Sequence, residues 1–243
     1  MRKAIFVLSS ICLLLSNACF AQDKQKHKDS RWEDRPKIEG SGNVVTKDVI
    51  VQPFDELEAS GVFNVVLTQG AKETVKIEAE DNLQSLFSVK NEGKKLIVLM
   101  DKDTNFENKK KMIVHITFKS LKRMDLKMVG NLTSEGNLNF DNFSLDNKSV
   151  GSVDLRLAAQ KLDVKNKSVG NLRLSGKADN AVIRSNSVGS IKASDLIVQT
   201  LDINNDGIGG AEVNAAKEIR VKESFLGKVR NVGTATIKKK VVI

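Results

Sequence analysis

From about Leu126 onward the chain alternates apolar and polar residues in short runs, and each run ends at a glycine. Four residues recur as Val129-Gly130-Asn131-Leu132, Val150-Gly151-Ser152-Val153, Val169-Gly170-Asn171-Leu172 and Val188-Gly189-Ser190-Ile191, with looser copies at Ile208-Gly209 and Leu226-Gly227-Lys228-Val229. Successive glycines are 21, 19, 19, 20 and 18 residues apart. The register extends away from the glycine. Leu145, Val164, Ile183, Ile203 and Val221 stand six residues before it, and Phe143, Leu162, Ala181, Leu201 and Ile219 two residues earlier still. Alternation with a period of two suits a strand and not a helix. Units of this length are also too short for paired helices. The pattern predicts an all-β, right-handed parallel β-helix-like solenoid of ~19-residue coils, each coil bonding to the next about 4.8 Å away.

Parity divides the positions of each coil. Leu145, Val164, Ile183, Ile203 and Val221 are expected to point inward as one ladder, and Val153, Leu172 and Ile191 as another. Asn147, Asn166, Ser185 and Asn205 share the inward parity, where stacked amides can bond one another along the coil axis. Val129, Val150, Val169, Val188, Ile208 and Leu226 are expected to fill a corner of the core rather than form an exposed stripe. Asp154, Arg173, Lys192, Glu212 and Arg230 make an outward column whose mixed signs suit pairing between strands.

The first half is β-rich and less regular. Gly61 to Gly70 alternates and then turns, Thr74 to Glu80 returns, and Asn91-Glu92-Gly93 separates two apolar runs in a hairpin signature. Met112 to Phe118 supplies another strand, with His115 on the face opposite Val114, Ile116 and Phe118. His115 has no Ser or Asp partner in that strand, so it is expected to be an exposed strand residue rather than a general base. Pro53 is the last proline, which leaves every later strand free to pair fully.

Gly40-Ser41-Gly42-Asn43, Phe54-Asp55-Glu56-Leu57, the Gly61 to Gly70 strand and Ile77-Glu78-Ala79-Glu80-Asp81-Asn82-Leu83, in that order, resemble the auto-transporter adhesin head GIN domain family of exported Bacteroidetes-type proteins. The resemblance covers about Ile38 to Val232. It implies an all-β domain of parallel coils in exported or lipid-anchored envelope proteins, and it carries over no catalytic residues. Where the family often has Gly-Ser-Gly corners, this chain has Ser-Val-Gly at 149–151, 168–170 and 187–189.

Arg2 and Lys3 precede an apolar run from Ala4 to Leu15, followed by small and polar residues up to Ala21. This is the pattern of an export signal, and the run is too short to span a bilayer. Residues 1–21 are read as a signal peptide, 22–37 as a flexible leader and 38–243 as one all-β domain, with irregular strands over 38–125 and regular coils over 126–243. Cleavage after Ala21 removes both Cys12 and Cys19. The alternative makes Ser16-Asn17-Ala18-Cys19 a lipoprotein box with the lipid on Cys19, and only then is a membrane attachment expected. The expected compartment is the periplasm, the outer membrane or the exterior.

Composition narrows the chemistry further. Two His and two Cys in 243 residues are too few for a His/Cys metal site or a Cys-His or Ser-His triad, so no cofactor and no metal is expected. An aromatic share of 5% argues against a stacking platform for sugars or bases. Without Arg2 and Lys3, 37 basic residues face 30 acidic ones. The excess lies in the second half, with 18 basic and 12 acidic residues after Asp125 against 19 and 18 over 22–125. That balance suits anionic polysaccharide or envelope components, while an exported chain is not expected to bind nucleic acid.

Lys165 with Arg184, Lys148 with Lys167, and Arg173 with Lys192 form three cationic columns, the candidate anionic-ligand face. The expected function is a non-enzymatic binding or adhesion module for extended anionic glycans. One alternative is a structural envelope protein, a homo-oligomer joined through an open coil end near Val241-Val242-Ile243. The other is a polysaccharide-active β-helix enzyme, for which Asp202, Asp206 and Glu223 come nearest to converging acids.

Overall fold

The computed structural model describes residues 37–239. The signal peptide, all but the last residue of the leader, Cys19 and the Val241-Val242-Ile243 end lie outside the described residues. The structure is 67% strand and 3% helix, and its strands stack as about six turns of a β-solenoid.

In the second half each coil is one long strand bent at its middle. Val153–Asn166 lies parallel to Leu172–Ser185 from Val153 opposite Leu172 to Asn166 opposite Ser185. Ile191–Asn205 and then Ala211–Glu223 continue the stack. Val229–Asn231 and Ile237–Lys239 form the last, shorter rung. The parallel ladder sets identical positions of the repeat above one another, so one apolar choice per unit builds a column. Leu145, Val164, Ile183, Ile203 and Val221 are buried, as are Val153, Leu172 and Ile191. A single sequence period thus specifies a continuous core.

The glycine corner is a backbone requirement. Gly170 has φ 138°, where L side chains are strained, and a Cβ there would collide with the carbonyl of Gly151 in the coil below.

The inward polar column is bonded along the axis. Asn147 Nδ2 donates to Asn166 Oδ1 at 2.8 Å, and Asn166 Nδ2 donates to Ser187 Oγ at 3.1 Å. Ser149 and Ser168 hydroxyls donate to the amide oxygens of Asn147 and Asn166. At Ser185 the amide series stops, and its hydroxyl pairs with Ser187 at 2.8 Å. Asn205 resumes it by donating to the carbonyls of Gly209 and Gly227. Satisfied in this way, amides and hydroxyls can occupy the interior without the penalty of an unpaired buried group.

Parallel coiling begins well before Leu126, in an order that the repeat period does not reveal. Glu56–Val62 pairs in parallel with Arg123–Val129 on one side and with Lys95–Met100 on the other. Asn64–Gln69 likewise lies between Leu132–Glu135 and Ile113–Phe118. The coil containing Glu56 is therefore inserted between one made after it and another made later still. Beyond these rungs the pairing turns antiparallel. Phe87–Glu92 folds back on Lys95–Met100, while Thr74–Glu80 pairs with Ile113–Phe118 and carries Val44–Val49 at its edge.

The two glycine- and acid-rich motifs of the first half meet here. Buried Glu80 accepts N–H bonds from Gly42 at 2.6 Å, Lys109 at 2.9 Å and Lys110 at 3.3 Å. Ser41 and Asn43 side chains donate to the Asp81 carboxylate. Burial pushes the Glu80 carboxyl up, but the Gly42, Lys110 and Lys109 N–H groups outweigh it and hold it below the usual carboxylate range.

Candidate functional site

The outward surface of the coils carries the chemistry available to a partner. Along one unit, Leu162, Val164, Asn166 and Ser168 point inward, and Lys161, Asp163, Lys165, Lys167 and Val169 take the outward positions without a break. This places Val169 outside. Val129, Val150, Val169 and Val188 are 49%, 50%, 52% and 51% exposed, and Ile208 and Leu226 are 55% and 57% exposed. The expectation that these residues fill a corner of the core is overturned. Beside Val150, Val169 and Val188 the interior position belongs to a serine, Ser149, Ser168 or Ser187, whose hydroxyl is satisfied by the polar column, and beside Val129 it belongs to Met128. Counting parity onward from Asn166 would have placed the valines correctly; their aliphatic character alone pointed the other way.

The exposed residues are in register. Val129 pairs with Val150, Val150 with Val169, Val169 with Val188, and Val188 with Ile208. Val62, 42% exposed, extends the series from the first half by standing opposite Val129. At the far end the Gly209 N–H donates to the Leu226 carbonyl. Seven aliphatic side chains therefore form one outward ladder, about 29 Å long over six steps of strand spacing.

One edge of the ladder is polar and uncharged from Asn64 to Gly210 and ends at Lys228. Asn64, Asn131 and Asn171 side chains there accept N–H bonds from Asn131, Ser152 and Ser190. The other edge is charged. Lys127, Lys148 and Lys167 stand two residues before their ladder residues, followed in later coils by Asn186 and Asp206. Two residues earlier come Glu58, Asp125 and Asp146, then Lys165, Arg184, Asn204 and Lys222. Lys95 holds the Glu58 carboxyl below the usual carboxylate range despite some burial, and Lys127, 3.3 Å away, adds to the effect.

The six cations of the candidate anionic-ligand face lie on both sides of the ladder. Lys165 is opposite Arg184, and Arg173 is opposite Lys192, as the columns require. Lys148, Lys165, Lys167 and Arg184 flank the ladder, whereas Arg173 and Lys192 follow the glycine corner. Three carry carboxylate partners: Lys148 with Asp146 at 3.0 Å, Arg184 with Asp163 at 3.4 Å and Arg173 with Asp154 at 3.4 Å. Among the described residues, Lys165 and Lys167 make no ion pair. In the mixed outward column Arg173 pairs with Asp154 and Arg230 lies 2.7 Å from Glu212, while Lys192 makes no ion pair among the described residues.

The residues weighed for catalysis have other partners. His115 Nε2 lies 3.4 Å from Glu78 Oε2 on the neighbouring antiparallel strand. Glu223 accepts the Val229 N–H at 2.8 Å, which with Lys228 and Lys239 holds its carboxyl below the usual range despite some burial. Asp202 stands opposite Arg220. Among the described residues no three His, Cys, Asp or Glu side chains are grouped to hold a metal ion.

The stacked parallel coils place the chain in the class of β-solenoids with a repetitive outer face. Residues 53–235 match the family described as "Putative auto-transporter adhesin, head GIN domain", and the chain belongs to that family. It is 31% identical to a "putative adhesin" from Bacteroides fragilis, whose crystal structure superposes with a TM-score of 0.72 over 84% of this chain and 100% of that one. A "putative lipid binding protein" from Parabacteroides distasonis shares the fold at 18% identity, with a TM-score of 0.66 over 84% of this chain and 95% of that one. A "putative adhesin" from the same species is 19% identical, with a TM-score of 0.54 over 84% and 100% of the two chains. No curated protein matches the chain.

Proposed function

We propose that the chain is an exported, non-enzymatic binding module of the cell envelope that makes its contacts through the aliphatic ladder. The carrying observation is the display of seven aliphatic side chains, 42% to 57% exposed, in one register along the coil stack. Contiguous exposed apolar surface costs solubility and marks interaction sites. Here it is positioned by the same hydrogen bonds that hold the core. Membership of an adhesin family supports the reading.

Lys165 and Lys167, beside the ladder and without ion pairs among the described residues, favour a second reading in which the ligand is an extended anionic glycan. Beads coated with the protein separate the two. Contact through the ladder predicts that adhesion to envelope fragments is lost in Val150→Lys/Val169→Glu/Val188→Lys and kept in Lys165→Gln/Lys167→Gln. Glycan binding predicts the opposite, together with a steep fall in added salt. Turnover of an anionic polysaccharide would contradict both.

A further inference from the structure

We propose that the occupant of the aliphatic ladder is a second copy of this chain, docked face to face and antiparallel about a two-fold axis at Val169. The proposal rests on the reading of the ladder as a contact face and names its partner. Val169 is the fourth of seven ladder positions. A two-fold there sets Val62 against the partner's Leu226, Val129 against the partner's Ile208 and Val150 against the partner's Val188.

Charge selects this arrangement. An in-plane axis across the ladder lays each flanking column over its own counterpart, reversed end for end. The outer flanking column runs from acids at Glu58, Asp125 and Asp146 to cations at Lys165, Arg184 and Lys222. Reversal sets Glu58 against the partner's Lys222 and Asp146 against the partner's Arg184. The inner column runs from Lys127, Lys148 and Lys167 to Asp206, so Lys127 meets the partner's Asp206.

Lys165 and Lys167 meet their own counterparts near the axis; both are exposed, and their stems are long enough to turn the ammonium groups aside. A two-fold along the ladder would instead lay the charged columns over the Asn/Ser edge and the Lys228 that ends it, and none of these pairs would form. Glu58, Asp125 and Asp146, each beside a cation of its own coil or a neighbouring one, leave the first half of this face without the excess positive charge that a uniformly anionic lipid surface would need, whereas a protein face of mixed sign matches it.

The area sets the strength. The ladder and its two charged columns cover about 29 by 14 Å, or about 400 Å² in projection, which is small for a stable interface. A reversible, concentration-dependent dimer follows.

Sedimentation equilibrium of the full chain carrying Cys12→Ser and Cys19→Ser tests this. The expected result is a monomer–dimer equilibrium weakened about tenfold or more by Lys127→Glu or by Asp206→Lys, and largely restored when both are combined. In the same background, Val169→Cys should crosslink to itself on oxidation, while Val62→Cys should crosslink only with Leu226→Cys. A monomer at every concentration would overturn the proposal, as would a dimer indifferent to Val150→Lys/Val169→Glu/Val188→Lys or a self-crosslinked Val62→Cys. A monomer that floats with phosphatidylglycerol vesicles would assign the ladder to lipid, defeating the second-copy proposal while leaving the contact-face reading intact. If the triple ladder variant also adheres to envelope fragments as well as the wild type, the contact-face reading fails with it.

Discussion

The two halves of the molecule build the same kind of coil by different routes. After Leu138 each rung is laid on the previous one, so contacts join positions one repeat apart and a short motif copied along the chain is sufficient. Before it, Glu56–Val62 must wait for Arg123–Val129 on one side and Lys95–Met100 on the other. The first half closes long loops to do so, which costs chain entropy that only non-local contacts repay. It also carries antiparallel strand pairs and the Glu80 cluster at its end of the stack. A solenoid end is an open strand edge, prone to unwanted pairing, and a change of strand direction is one means of covering it.

Four variants break or sharpen this contrast. Leu172→Asp, in the middle of the regular stack and fully buried, should cost about 3–5 kcal/mol by leaving an unpaired charge in the core. Urea unfolding followed by circular dichroism reads this loss, and neighbouring coils should melt with it. Asn166→Ala should cost about 1–3 kcal/mol, because it leaves the Asn147 amide and the Ser168 hydroxyl without their partner. Ser185 marks the place where the natural column already lacks an amide, so Ser185→Ala is expected to cost less than Asn166→Ala in the same assay.

Glu80→Gln probes the irregular half. The variant keeps one carbonyl acceptor and loses the charge, so it should lower the unfolding midpoint less than Leu172→Asp does. It should also remove part of the acid sensitivity. The folded Glu80 carboxyl lies below its unfolded value of about 4.3. Its contribution is therefore complete above that pH and disappears as the pH falls through the folded value. Acid titration of wild type and variant should show their difference in stability shrinking below about pH 4.3. A constant difference across that range would show that the Glu80 charge does not hold the Gly40 to Asn43 segment.

Much of the fold was legible in the chain because a parallel stack repeats its sequence with its structure. Val164, Ile183 and Ile203 could be assigned inward from spacing alone, and so could the stacked Asn147 and Asn166. The first half resisted because the order of its rungs in space is not their order in sequence, and no period relates Leu57 to Met124 or Leu96. At the candidate site the columns were readable and the direction of the valines was not. A buried Ser168 beside an exposed Val169 reverses the usual ranking of burial, and the bond of its hydroxyl to Asn166 in the same coil, itself bonded along the axis, satisfies the buried group. The ion pairs that occupy Lys148, Arg173 and Arg184 join side chains whose partnership depends on which acid lies across each rung or beside it.

The central claim is that the valine ladder is held outward for contact and does not support the core. Val150→Lys/Val169→Glu/Val188→Lys tests it most directly, because alternating signs down the ladder avoid like-charge repulsion between rungs. Unfolding and self-association are to be measured on the same sample. The account predicts stability within about 1 kcal/mol of wild type, as for exposed positions, together with loss of association. A large fall in stability, comparable with that of Leu172→Asp, would contradict it, and so would association equal to that of the wild type.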